Sequence, residues 1–294
     1  MKKRVLSAMP SQTIAEGALD AAQQTGELSY DGYKKVWSDE FNGDSLNRAD
    51  WNVETHEKGW VNDELQEYVD SAENIQVKDG KLIINPVKKV TDGDTGSTKE
   101  AASYTSGRVS TQNKQTFIYG RFECRAKVPK GQGYLPAFWL MANDENVYGQ
   151  WPRCGEIDCM EVMGQETNKA YGTIHYGNPH SQSQGTYTIT DGADFSDDFH
   201  IYTCDWEPGK ITWYVDGVKY HEESEWHSTT VGQGTLAYPA PFDQPFYIIL
   251  NLAVGGSWVG NPNDETSFEN NPYVIDYVRV YQKDSYDEDV KRTL

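Results

Sequence analysis

The 294-residue sequence predicts an all-β domain. From Tyr33 onward, short runs of β-branched and aromatic residues alternate with Gly, Asn, Asp and Pro; examples are "KLIINPV", "YGRFECRAKV", "AYGTIHYG", "FYIILNLAVGG" and "YVIDYVRVYQ". Within "WYVDGVKYH", Asp216-Gly217 stands between two alternating runs. That is the pattern of a type I′ hairpin, whose two central residues both need positive φ. A chain of this length suggests two domains on size alone, but all-β sandwiches of roughly 200–250 residues are common as single units. The sequence carries no internal repeat and no second-domain linker.

Three segments follow in order. Residues 1–30 are polar and Ala/Gln-rich, and Thr13-Ile14-Ala15-Glu16 has the form of a capping box ahead of "GALDAAQQ". This predicts a short helix ending near Gly26, in an extension to the main domain. Residues 31–283 form the β domain, interrupted by the polar loop "DGDTGSTKEAAS" at 92–103. Residues 284–294 read as a charged, solvated tail. Met1-Lys2-Lys3-Arg4 has the charge of an export signal, yet "VLSAMPSQTIAEG" lacks the apolar run that such a signal needs. No segment reaches transmembrane length. The expectation is either a cytoplasmic protein or one whose export signal is missing from this N-terminus.

Composition narrows the function classes. With 19 Tyr and 9 Trp, aromatic surface exceeds what a core needs, so some is expected at a recognition site. The balance of 26 basic to 45 acidic residues gives a net charge of −19. No basic stripe is present to release counterions, so nucleic acid and anionic membrane are excluded as partners. A neutral partner is favoured and sulfated polymers are disfavoured. Cys124, Cys154, Cys159 and Cys204 show no metal-finger or CxxC spacing and read as buried strand thiols. They fit a reducing compartment. None of the six histidines has zinc-like spacing.

The stretch "WPRCGEIDCMEVMG" places Glu156, Asp158 and Glu161 within six residues. In a strand Glu156 and Asp158 share a face, whereas Glu161, at an odd interval, points away. One extra residue, a β-bulge between Asp158 and Glu161, returns Glu161 to their face and leaves Ile157 and Met160 toward the core. Three like charges on one face separate the carboxyl pKa values, the condition for acid/base chemistry. A retaining glycosidase needs such a pair, one ionised and one protonated, about 5–5.5 Å apart. Taken alone, the triplet is more often a solvated acidic strand, and a calcium cluster is a further reading. The apolar Ile157 and Met160 and the upstream Trp151 favour the catalytic one.

These residues resemble the catalytic strand of glycoside hydrolase family 16, with its E-[IL]-D-x-x-E pattern. The resemblance extends through "GWVNDELQEY", "YGRFECRAKVPKGQGYLPAFWLM", "YGTIHYG", "YPAPFDQPFYIILNLAVGGSWVGNP" and "YVIDYVRVYQ", which look like laminarinase-type endo-1,3-β-glucanases. It implies a β-jelly roll sandwich of two curved antiparallel sheets with an open concave substrate cleft. Glu156 would be the nucleophile and Glu161 the acid/base, with Asp158 holding the nucleophile's protonation state. Trp139 and Trp151 would be cleft-floor aromatics and Trp258 a rim contact. Asn62 and Arg108 would hydrogen-bond glucose hydroxyls, against the alternatives of a turn-stabilising Asn and an ion-paired Arg. His175 would orient the acid/base or a sugar, or serve structurally. The family's calcium would use Glu40, Gly80 and Asp276, as a structural ion with no catalytic role.

The implied function is retaining hydrolysis of 1,3-β-glucan, with mixed 1,3-1,4-linked glucan as a further substrate, by a monomer. The alternatives are a non-catalytic glucan-binding module, an agarase- or carrageenase-like galactanase, and a transglycosylase of the same fold. Departures from the usual laminarinase pattern, at Val61, Asp63 and Tyr134-Leu135, leave chain-length and linkage preference open.

Overall fold

The computed structural model describes residues 26–89, 103–228, 231–232 and 234–290. The helix expected before Gly26 and the loop 92–102 lie outside the described residues. Nineteen strands and no helix occur among those described.

Two eight-stranded antiparallel sheets form the sandwich. The front sheet runs, in spatial order, Asn52–Val53, Arg108–Ser110, Phe246–Val254, Tyr134–Ala142, Glu156–Glu161, Lys169–Tyr176 and Ser181–Thr188. Thr116–Phe117 adds a short pairing to Phe246–Val254. The back sheet runs Val218–Glu223, Lys210–Val215, His200–Glu207, Gly120–Lys127, Tyr273–Lys283, Lys81–Ile84 and Ile75–Lys78, and Tyr33–Asp39 also pairs with Tyr273–Lys283. Gln66–Tyr68, Ser103–Ser106 and Val87–Lys89 make a small third sheet. Strands adjacent in space yet distant in sequence, such as Tyr134–Ala142 beside Phe246–Val254, are the crossovers of the expected jelly roll.

Burial follows the sequence pattern. The unbroken apolar run "FYIILNLAV" is buried at all nine positions of the strand Phe246–Val254, which lies central in the front sheet. The strand Ser181–Thr188, at the sheet edge, alternates half-buried and exposed. Between the sheets, Phe122, Trp206, Phe242 and Phe246 pack ring to ring at 5.1–6.1 Å. Each such ring removed from water stabilises the fold by about 1.5–3 kcal/mol. Asp216 and Gly217 have φ of 49° and 78°, so the predicted hairpin turn is a left-handed pair closing on Val215 and Val218.

The described parts of both flanking segments, residues 26–30 and 284–290, touch the domain. Leu28 is buried against Ile201, and the Tyr30 hydroxyl donates to the buried Glu123. Tyr286 packs on Tyr119 and accepts from the Lys283 backbone N–H at 3.2 Å. All four cysteines are free and buried; Cys124, Cys159 and Cys204 lie in strands, and Cys154 instead occupies the turn before Glu156.

Candidate active site

Antiparallel register sets the site. Residues directly opposite each other share a face. Glu156 faces His175 on one side and Met141 on the other. Asp158 lies between Thr173 and Trp139, and Glu161 between Tyr171 and Ala137. Continuing across the sheet, Ala137 pairs with Asn251 and Asn251 with Arg108. The predicted bulge is present: the register shifts between Asp158 and Glu161 against Thr173 and Tyr171, and Cys159 is unpaired in the other ladder. Ile157, Cys159 and Met160 enter the core, so two successive residues point inward and Glu161 returns outward.

The three carboxyls differ in their surroundings. Burial pushes all three above the ordinary carboxylate range. For Glu161, Asp158, Glu156 and Glu64 then push in the same direction, and nothing opposes them. Glu156 is also raised by Asp158, but the charge of His175 and the Trp151 indole N–H pull it back. That N–H donates to Glu156 Oε2 at 2.7 Å. His175 Nε2 stands 3.1 Å from Asp158 Oδ2 and 3.7 Å from Glu156 Oε1. Its Nδ1 meets His180 Nε2 at 2.8 Å, which orients the ring. Burial lowers the His175 pKa, with Glu156 opposing.

Aromatic side chains border this row. Trp151 is exposed at the Glu156 end, with its ring 5.1 Å from His180. Trp258 is exposed at the other end and meets Tyr171, the cross-strand neighbour of Glu161, edge-on at 5.5 Å. Trp139 stands beside Asp158, and its N–H donates to Asn251 Oδ1 at 2.7 Å. Arg108 is buried, its Nε 2.6 Å from Glu54 Oε2, and its guanidinium lies 4.9 Å from the Trp139 ring and 5.2 Å from that of Trp60. Asn62 is exposed at a left-handed turn with φ of 51°, its amide 3.4 Å from Glu64 Oε1. The structure thus gathers Glu156, Asp158, Glu161, Trp139, Trp151, His175 and Trp258 directly, and Arg108 beneath two indoles.

A sequence profile for Glycosyl hydrolases family 16 matches residues 62–279. The chain belongs to this family. It is 40% identical to glucan endo-1,3-beta-glucosidase A1 of Niallia circulans over 86% of this chain, but spans only 38% of that protein's length. It is also 40% identical to a glucan endo-1,3-beta-glucosidase of Cryptopygus antarcticus, over 83% of this chain and 90% of that one. Among solved structures, an endo-beta-1,3-glucanase from Pyrococcus furiosus aligns with TM-score 0.72 at 38% identity, covering 86% of this chain and 95% of that one. Family membership makes the chain a glycoside hydrolase with a jelly-roll fold.

Several residues of this family 16 site escaped the sequence reading. Glu64, buried and held by Gln66 Nε2 at 2.7 Å, adds a fourth carboxyl whose charge bears on Glu161. His56 stacks flat on Trp60 at 3.5 Å and hydrogen-bonds Glu54 Oε2 at 2.9 Å. Glu64 and Trp60 both sit in "GWVNDELQEY", but their places opposite Glu161 and Arg108 depend on a loop whose register spacing does not encode.

The calcium residues do not suit the ion. The Glu40 carboxylate is held on both oxygens by Arg279, at 2.9 and 2.8 Å. Asp276 pairs with Arg125 at 2.7 Å, with Lys81 at 3.9 Å. Gly80 occupies a left-handed turn with φ of 71°. Calcium takes carboxylate and backbone carbonyl oxygens; here both carboxylates are already paired with cationic side chains, which leaves only the Gly80 carbonyl of the three.

Proposed function

We propose that this chain is a retaining endo-β-glucanase that hydrolyses 1,3-linked β-glucan and accepts mixed 1,3-1,4-linked glucan. The observation that carries the assignment is the asymmetry between two carboxyls on one face. Glu161 is surrounded by influences that keep its proton on, so it acts as the acid. Glu156 is raised too, to about 8, but an imidazole and an indole N–H limit the rise and favour its anion, so it acts as the nucleophile.

In the first half-reaction Glu161 protonates the departing glycosidic oxygen while Glu156 attacks the anomeric carbon from the opposite side. Asp158, beside Glu156, takes up part of the proton that the pair shares and lets Glu156 ionise as the sugar arrives. In the second, the Glu161 carboxylate takes a proton from water, which attacks the anomeric carbon and releases Glu156. Two inversions give net retention. Trp139, Trp151 and Trp258 offer indole faces to the axial C–H groups of glucose.

Two features favour a neutral glucan over a sulfated galactan. The net charge is −19, and the cleft guanidinium of Arg108 is already occupied by Glu54. A binding-only role is disfavoured because the complete carboxyl set is retained and tuned. The enzyme acts as a monomer. Among the described residues no helix is long and apolar enough to cross a membrane.

The test is reducing-sugar release from laminarin, with the first-formed anomer read by proton NMR. Release of the β-anomer by wild type, with Glu156→Ser silent, is expected. An initial α-anomer refutes retention. Binding of laminarin without any release refutes the enzyme.

A further inference from the structure

The bulge that unites the three carboxylates has a partner on the far side of the core. Trp213, on the back-sheet strand Lys210–Val215, is fully buried, and its indole N–H donates across the sandwich to the Asp158 carbonyl at 2.8 Å. In regular pairing a strand carbonyl points along the sheet toward its neighbour. A carbonyl that receives an N–H from the opposite sheet is tilted toward it, which a bulge permits. The peptide that tilts is the one leading from Asp158 into the bulge. Its orientation decides where the chain delivers Glu161.

Room for the indole is made by a missing side chain. Gly172 falls between Tyr171 and Thr173, the cross-strand partners of Glu161 and Asp158. A Cβ at Gly172 would stand 2.4 Å from Trp213 Cδ1 and 2.5 Å from the Tyr220 hydroxyl. The glycine is therefore required for space, not for a left-handed backbone. Its own neighbour is Gly185, where a Cβ would stand 2.3 Å from Cβ of His221, the ring stacked on Trp213 at 4.7 Å. The back sheet is irregular at the same place, with a register shift between Trp213 and Tyr214. Two irregular strands thus face each other, with the Trp213 indole joining them.

We infer that Trp213 is a positioning residue for the acid/base Glu161, acting through the Asp158 carbonyl, and that Gly172 is the gap that admits it. The inference rests on the proposed glycosidase reading and assigns it a support outside the cleft.

The test uses Trp213→Phe, which keeps a ring but loses the N–H, and Gly172→Ala, which pushes the indole away. Trp206→Phe is the control, because Trp206 also donates a buried N–H, to the Phe242 carbonyl at 3.0 Å. Each variant is assayed on laminarin, whose leaving group needs a proton, and on a 2,4-dinitrophenyl β-laminaribioside, whose leaving group needs none. Trp213→Phe and Gly172→Ala should lower kcat on laminarin roughly 10–100-fold with KM within about twofold. They should keep kcat/KM on the dinitrophenyl substrate, which reports the first step alone, lower its kcat as hydrolysis of the intermediate becomes limiting, and shift the basic limb of the pH profile on laminarin. The double variant should be no worse than the poorer single one.

Trp206→Phe should lose thermal stability while keeping kcat on laminarin. Equal losses in kcat/KM on both substrates, or the same kinetic loss in the control, overturn the inference. If Trp213→Phe does not fold, Gly172→Ala carries the same comparison. A crystal structure of the variant decides the geometry independently: an unmoved Glu161 overturns the positioning role whatever the activity. A wild type inactive on both substrates instead overturns the glucanase reading.

Discussion

The indole N–H of Trp151 donates to Glu156 Oε2 at 2.7 Å, whereas Glu161, on the same strand, has no hydrogen-bond donor among the described residues. A donor stabilises the anion, so this contact, together with the neighbouring His175, separates two otherwise similar buried glutamates. Removing it should be visible in the pH profile. In Trp151→Phe the Glu156 anion loses a charge-assisted hydrogen bond worth about 1.5 kcal/mol, or roughly one pKa unit. Its pKa rises, the ionised fraction at a given pH falls, and the acid limb of kcat/KM moves up by about one unit. A profile that does not move shows that the indole serves only for stacking.

The two glutamates should also be distinguishable by external azide. In Glu156→Ala the azide replaces the nucleophile and, with an activated aryl glycoside, gives the α-glycosyl azide by a single inversion. In Glu161→Ala the covalent intermediate still forms, and azide opens it to the β-product. The Glu161 variant should lose about 10²–10⁴-fold on laminarin, the usual contribution of general acid catalysis. Product NMR checks the assignment, and exchanged anomers reverse it.

Clustering of the carboxyls has a cost in stability. Their folded-state pKa values lie above the unfolded ones, so the folded state holds these protons more tightly. The stabilisation this implies is complete below the unfolded value and is lost as pH rises through the folded one. For Glu156 the window runs from about 4.5 to about 8. Wild-type stability should therefore decline across that range, and Glu161→Gln should flatten the decline. At neutral pH the variant should gain roughly 1–2 kcal/mol, a few degrees in Tm. Thermal melts from pH 4 to 9 test this, and a variant with the wild-type slope contradicts it.

Glu54 and Arg108 form a mostly buried pair beneath Trp60, with Nε to Oε2 at 2.6 Å. Although burial raises the Glu54 pKa, Arg108, Ser110 and His56 bring it below its ordinary value. Glu54→Ala leaves a buried guanidinium without its counter-charge, so unfolding free energy should drop by roughly 3–5 kcal/mol. Asp284→Ala, which breaks the exposed pair with Lys34, should have no measurable effect. Urea denaturation of the two variants provides the comparison.

Because Glu40 and Asp276 are neutralised by Arg279 and Arg125, chelation should leave Tm unchanged and added calcium should not raise it. A calcium-dependent rise of several degrees would place an ion at the chain's backbone oxygens instead.

Much of this protein is decided locally and was therefore legible in the sequence. Strand rhythm follows from side-chain alternation, and the Asp216-Gly217 turn from the positive φ that both residues tolerate. The odd spacing of Glu161 from Asp158 demands either a bulge or a buried charge on the wrong face. The bulge was thus predictable in place, and so was the inward turn of Ile157 and Met160. What only the tertiary structure decided are the partners that arrive from distant segments. The loop carrying Trp60 and Glu64 reaches the cleft, Arg108 sinks between two indoles onto Glu54, and Trp213 crosses the core to Asp158. Such contacts depend on the register of strands separated by tens of residues. The packing of the whole sandwich sets that register, and no short pattern records it.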